Sequence, residues 1–199
     1  MDPPFGEADP ISFGGSGRSG IGHNTEEGPA AGHYDPTVDV DGVVRVVEEL
    51  VARPFTEEPA HTGDWLEGLP QSGAEAHFAP LAVSPSLYET AADDDGTIGD
   101  LWWEAYRGFE ERRHDVGAAL ASRWGPSQPY SFHAEHERVL AGDEEVSSLH
   151  YDLAMFTGGD EFPAWRRDGR LVGLLLGQMD KEFPIVLTVA VLAAEAAGG

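Results

Sequence analysis

The sequence predicts an α+β domain, two helices packed on a mainly antiparallel sheet that ends in a three-strand meander at about 161–192, behind a Gly/Pro-rich amino-terminal tail. Three observations carry that prediction. The first is the dipeptide Asp168-Gly169, set between two strand-like runs. It supplies the positive φ angles that a two-residue hairpin of matching twist requires. The second is a pair of apolar runs, Leu171 to Leu176 and Ile185 to Leu192. Both are short and nearly uninterrupted, the pattern of strands covered on both faces. The third is a long repeat at helical spacing ahead of them, from Thr97 to Trp124.

The meander is read residue by residue. Between the apolar runs stands Gln178-Met179-Asp180-Lys181-Glu182, which must be a loop, because burying so many charged groups unpaired costs several kcal/mol. Pro184 fits near the start of the last strand, where no ladder donor is needed. Phe162 to Arg167, with Pro163 and its arginines, suits an outer strand.

Earlier in the chain, residues 1–36 are rich in Gly, Pro, Ser and acidic residues, with Phe5, Ile11, Phe13 and Ile21 isolated among them. Apolar groups that sparse do not offset the entropy of ordering a backbone, so the reading is a disordered tail. The glycines of Ser12 to Gly20 lack the spacing and the terminal Lys of a phosphate loop. Asp39 or Asp41 caps a helix over Val43 to Arg53, where Val43, Val46, Val47 and Leu50 share one face and Pro54 ends it. Asp35, Asp39 and Asp41 do not continue into a calcium loop in register. Residues 37–95 read as this helix followed by wrapping loops, anchored by Trp65, Leu66, Leu69, Phe78, Leu81, Val83, Leu87 and Tyr88. Asp93 to Gly96 marks a boundary before a compact core domain over 96–195.

That core domain opens with Thr97-Ile98-Gly99-Asp100, close to a capping box. Ile98, Leu101, Trp102, Ala105, Tyr106, Phe109, Val116, Leu120 and Trp124 make one helical stripe, ended by Gly125-Pro126. Trp102 and Trp103 sit about 100° apart on such a helix, so both are buried only at the edge of a broad stripe; core packing is the expectation, with a ligand platform as the alternative. Pro129 to Leu140 is ambiguous: Tyr130, Phe132 and Ala134 alternate like a strand, whereas Phe132, His136 and Leu140 align like a helix. A strand followed by a turn is the expectation. Asp143 is expected to cap a second helix with Val146, Leu149, Leu153 and Phe156 on its apolar side, ended by Gly158-Gly159. Both helices are expected against one face of the sheet.

Composition sets the partner class. With 36 acidic against 12 basic residues the formal charge is -24, which repels nucleic acid and anionic membranes and favours a basic protein partner. Lys181 is the single lysine and Asn24 the single asparagine, a pattern of GC-rich coding bias, so genome composition or salt tolerance is the alternative to a functional acidic face. The absence of cysteine excludes disulfides, thiolate metal sites and cysteine nucleophiles. Met1 to Gly6 has no basic and apolar region of a signal peptide, and no apolar run reaches the roughly 20 residues of a membrane span. A cytoplasmic location is expected.

Motifs for chemistry are few. His133-Ala134-Glu135-His136-Glu137 is the one cluster with metal-ligand residue types, giving a candidate set of His133, Glu135 and His136 for a metal-dependent hydrolase. Its spacing does not match H-E-x-x-H. A solvated polar face is the competing reading, and no cofactor is expected. G-x-S-x-G is absent, and Asp180-Lys181-Glu182 lacks the order of a nuclease site. His150 reads as a structural histidine bordering the core.

Trp165-Arg166-Arg167, the Asp-Gly turn, and Gly177 to Glu182 leading into Phe183-Pro184-Ile185 together resemble the carboxyl end of small acidic actinobacterial proteins, some of which are similar to immunity proteins of toxin systems. The resemblance covers the last third of the chain. It implies a non-enzymatic protein that binds a basic partner and assigns no inherited catalytic residue. The expected partner-binding residues are Trp65 and Trp103 as anchors, with Asp180 and Glu182 steering a cationic surface. A structural component of a phage-like or other assembly, docking through the Gly-rich amino terminus, is the third functional class considered.

Overall fold

The computed structural model describes residues 40–57, 71–86 and 98–194. The expected tail at 1–36, Trp65, Tyr88, the boundary at 93–96 and the Thr97 cap lie outside the described residues. Within them, α1 (Val40–Ala52) leads to β1 (Gln71–Ser72) and β2 (Ala76–Val83), then α2 (Ile98–Trp124), β3 (Gln128–Ser131), α3 (His133–Leu140), α4 (Ser148–Phe156), β4 (Glu161–Arg167), β5 (Arg170–Gly177) and β6 (Val186–Ala193). The strands form one sheet in the order β1-β2-β6-β5-β4-β3, and every neighbouring pair is antiparallel.

The α+β class and the closing meander are as the sequence predicts. Asp168 (φ 49) and Gly169 (φ 73) make the β4–β5 turn with both central residues left-handed, the geometry that follows the twist of the flanking strands. β5 and β6 occupy the middle of the sheet, paired from Arg170–Ala193 to Gly177–Val186. Nearly every residue of both strands is buried. Each fully buried Leu or Val contributes about 1.5–3 kcal/mol, so this pair anchors the fold.

Three details differ from the expectation. First, the helices cover both faces. Val43, Val44, Val47, Leu50 and Val51 of α1 and Val116 and Leu120 of α2 pack on Val172, Leu174, Val189 and Val191. Leu149 and Leu153 of α4, with Phe132, pack on the opposite side chains Leu171, Leu175, Ala190 and Leu192. The uninterrupted apolar runs required this, since neither face of β5 or β6 tolerates water.

Second, residues read as wrapping loop contain β2, which pairs with β6 along its whole length. Pro80 concealed it. The register shifts between Pro80 and Ala82, and such a bulge is where a strand accommodates a residue with no N–H. Third, β4 is not the edge strand, because β3 pairs outside it. Pro163 stands opposite Pro129, and the ladder to β5 begins only at Ala164, so no partner requires an N–H from Pro163.

Three boundaries also move. α1 begins at Val40, so Asp41 lies in its first turn and is not its cap. Pro129 to Leu140 divides into β3 and then α3, a helix in place of the expected turn, with Phe132 buried at the joint and Leu140 exposed at the helix end. Asp143 does not cap α4: its carboxylate accepts from the Glu145 amide at 2.9 Å and from Arg138 at 2.7 Å. Ser147 takes the cap position, its hydroxyl oxygen accepting from the His150 amide at 3.3 Å.

Candidate functional site

The end of the sheet where β5 turns into β6 brings together most of the residues expected to meet a partner. Leu176, Ile185 and Leu187 form a small core there, and Phe109 of α2 closes it, with Trp102, Ala105 and Tyr106 packed against its margin. Spacings of three and four along α2 place these side chains on one face. Trp103 points elsewhere for that reason, and against the core packing expected for both tryptophans it is 62% exposed.

The aromatic groups form a corner. The rings of Trp102 and Tyr106 lie almost parallel, 4.8 Å apart at an interplanar angle of 19°. Trp103 stands across both, at 81° and 4.9 Å from Trp102 and at 80° and 6.5 Å from Tyr106. Edge-to-face and offset pairs of this kind satisfy the ring quadrupoles, and the gain is largest for the stacked Trp102–Tyr106 pair at the core margin.

A hydrogen-bond chain ties the corner to the acidic loop. The Trp102 indole N–H donates to Gln178 Oε1 at 2.6 Å. The Gln178 amide donates to the Phe183 carbonyl at 2.6 Å, with a longer contact of 3.4 Å to the Lys181 carbonyl. Asp180 folds the turn, its carboxylate accepting from the Lys181 amide at 2.6 Å and its carbonyl from the Phe183 amide at 2.9 Å. Asp180, Lys181 and Glu182 are all exposed. Of the expected partner-binding residues, the structure thus gathers Trp103, Asp180 and Glu182 at one end of the sheet.

The His133, Glu135 and His136 set does not converge. His133 Nδ1 pairs with Asp160 Oδ2 across the β3–β4 end of the sheet, and that hydrogen bond is the main reason the Asp160 carboxyl lies below its usual range. His136 meets the Phe132 ring edge-to-face at 5.7 Å. The charge of Glu135 acts instead on Tyr130, whose hydroxyl is pushed above its ordinary pKa first by burial and then by that carboxylate. Among the described residues no three His, Asp or Glu side chains lie close enough to hold a metal ion. His150, expected beside the core, is engaged locally, with Ser147 Oγ 2.8 Å from its Nδ1.

One buried polar group escaped the sequence reading. His77 on β2 is fully buried and stacks on Phe55 at 4.7 Å and 20°. Its Nε2–H donates to the Arg53 carbonyl at 3.2 Å, which also accepts from Arg170. Arg170 in turn lies over the Phe55 ring, 4.3 Å from its centroid. Among the described residues His77 Nδ1 has no hydrogen-bond partner. Desolvation is the leading cause that lowers the His77 pKa, with Arg170 and Arg53 adding to it against the hydrogen bond. Only recognition of β2 as an inner strand exposes this site, since residues 76–79 are buried on both faces of the sheet.

No protein-family model, no curated protein and no solved structure matches this chain. No helix among the described residues is long and apolar enough to cross a membrane.

Proposed function

We propose that this protein is a non-enzymatic, cytoplasmic binding module for a basic protein partner, of the immunity or inhibitor kind. Trp103 serves as its anchor, and Asp180 and Glu182 steer the approach. The observation that carries the reading is the exposed Trp103 held on a braced aromatic corner beside an acidic loop. Exposed tryptophan is the residue type that most often dominates a binding surface. The chain's charge of -24 supplies the long-range attraction that accelerates encounter with a cationic partner.

The test is co-purification of the full chain from its native host. A single abundant basic protein is expected at about 0.15 M salt and its loss at about 1 M, as the screening length shrinks from about 8 to about 3 Å. Trp103→Ala is expected to weaken the complex by about 2 kcal/mol or more, a factor of about 30. Emergence of the protein alone at low salt, with no salt-sensitive complex, removes the proposal.

A further inference from the structure

The aromatic corner has a chemistry narrower than that of a general protein anchor. Its two walls are nearly perpendicular, Trp102 with Tyr106 on one side and Trp103 on the other. The polar edge of Trp102 is already committed to Gln178. What the walls offer is therefore π surface, whose negative face attracts a cation. Asp100, Glu104, Asp180 and Glu182 surround this end of α2 and the loop tied to it, against Arg107 and Lys181, and all six are exposed. The chain uses the same chemistry internally, with Arg170 over Phe55 and Arg167 over Trp124 at 5.9 Å.

We infer that the Trp102–Trp103–Tyr106 corner receives an arginine or lysine side chain of the partner, its cation against the Trp103 ring and its remaining N–H groups toward the carboxylates of the 180–182 loop. This inference rests on the proposed function, naming the contact by which the partner is held. An apolar side chain would bury the same rings but would gain nothing from the carboxylates. A carboxylate or phosphate would be repelled by both.

Indole N–H resonances of the full chain, titrated with heptaarginine and with the uncharged heptacitrulline of the same shape, test the inference. The resonance lost in Trp103→Phe identifies Trp103. It is expected to shift with heptaarginine and not with heptacitrulline. Trp103→Leu, which keeps an apolar group but no π face, is expected to weaken heptaarginine binding about fivefold. Asp180→Asn with Glu182→Gln is expected to weaken it further and to flatten its salt dependence. Equal shifts with both peptides, or Trp103→Leu affinity unchanged within about twofold, overturns the inference. The two proposals fail separately: a native partner still held by Trp103→Leu defeats the cation corner alone, whereas a Trp103 shift with heptaarginine and no native partner defeats the proposed function alone.

Discussion

Gly173→Ala tests the packing on which the sheet depends. Gly173 lies in β5 opposite Ala164 of β4 and Ala190 of β6. The Phe162 ring rests on it so closely that an added Cβ would stand 2.4 Å from Cε2 and 2.7 Å from Cδ2, with Leu175 Cδ1 at 3.3 Å. Carbon atoms settle at about 3.5–4.0 Å, so the ring must retreat by more than about 1 Å. It has nowhere to go, because Phe162 is itself buried and wedged between Tyr130 at 5.2 Å and Phe132 at 6.0 Å. Two effects oppose each other. Replacing glycine within a strand gains about 0.4–1 kcal/mol from the unfolded chain, whereas overpacking a tight core costs about 1–3 kcal/mol. Overpacking wins, and a net loss of about 1–2 kcal/mol is expected in urea unfolding. The decisive measurement is the double-mutant cycle with Phe162→Leu, a smaller side chain that makes room for the methyl group. Favourable coupling of at least about 0.5 kcal/mol is expected between the two substitutions. Strict additivity, or a Gly173→Ala protein as stable as the parent, refutes the argument.

The remaining predictions concern pH and the aromatic corner. Burial holds the His77 pKa below its ordinary value of 6.5, so the unfolded chain binds that proton more readily. The stability His77 confers is complete above about pH 6.5 and falls as pH drops below it; His77→Phe is expected to remove that component from the difference in denaturant midpoint between about pH 7 and about pH 5, and equal differences in both proteins disprove it. Asp160 is depressed from its ordinary 3.8 by its bond to His133. Its contribution is therefore present above about pH 4 and disappears as pH falls through the lowered folded-state value, so Asp160→Asn is expected to reduce the acid sensitivity of unfolding below about pH 4, with no reduction counting against the pairing. Trp102→Phe is expected to destabilise by about 1 kcal/mol, since Gln178 Oε1 loses its donor in a half-buried setting. Trp103→Ala is expected to change stability by no more than about 0.5 kcal/mol, and thermal unfolding that ranks the two tryptophans the other way contradicts the assignment.

The elements legible in the sequence were those where a local rule and the tertiary structure agree. Asp168-Gly169 fixes a turn through its own backbone preferences, and the Leu171–Leu176 and Ile185–Leu192 runs have no stable setting except the centre of a sheet. β2 was not legible, because the rule against proline within strands holds for a regular ladder, and Pro80 sits where the register shifts. The distribution of helices over both faces is implied by those same runs, but the helical stripes themselves do not state which side of a sheet they cover. Asp143 and Ser147 illustrate a third limit. Both residue types cap helices, and the choice between them was made by Arg138, five residues before Asp143, which draws that carboxylate into a turn.

The candidate site follows from the same constraint that builds the sheet. β5 and β6 are apolar on both sides, so their connection is the first place where charge is tolerated, and Asp180, Lys181 and Glu182 collect there. The core at that end still needs a cover, which α2 provides with Trp102, Tyr106 and Phe109 on one face. The helical repeat then obliges the neighbouring residue, Trp103, to point about 100° away and into solvent. An aspartate or lysine at position 103 would leave the core under α2 packed as it is, because Trp103 adds only exposed edge-to-face contacts to Trp102 and Tyr106. Val46, Leu140 and Tyr151 are exposed as well, and Trp103 is the exposed ring that stands against both Trp102 and Tyr106. Trp102 is thus accounted for by the core it covers and Trp103 by no core contact, which is the physical ground for proposing a partner at this corner.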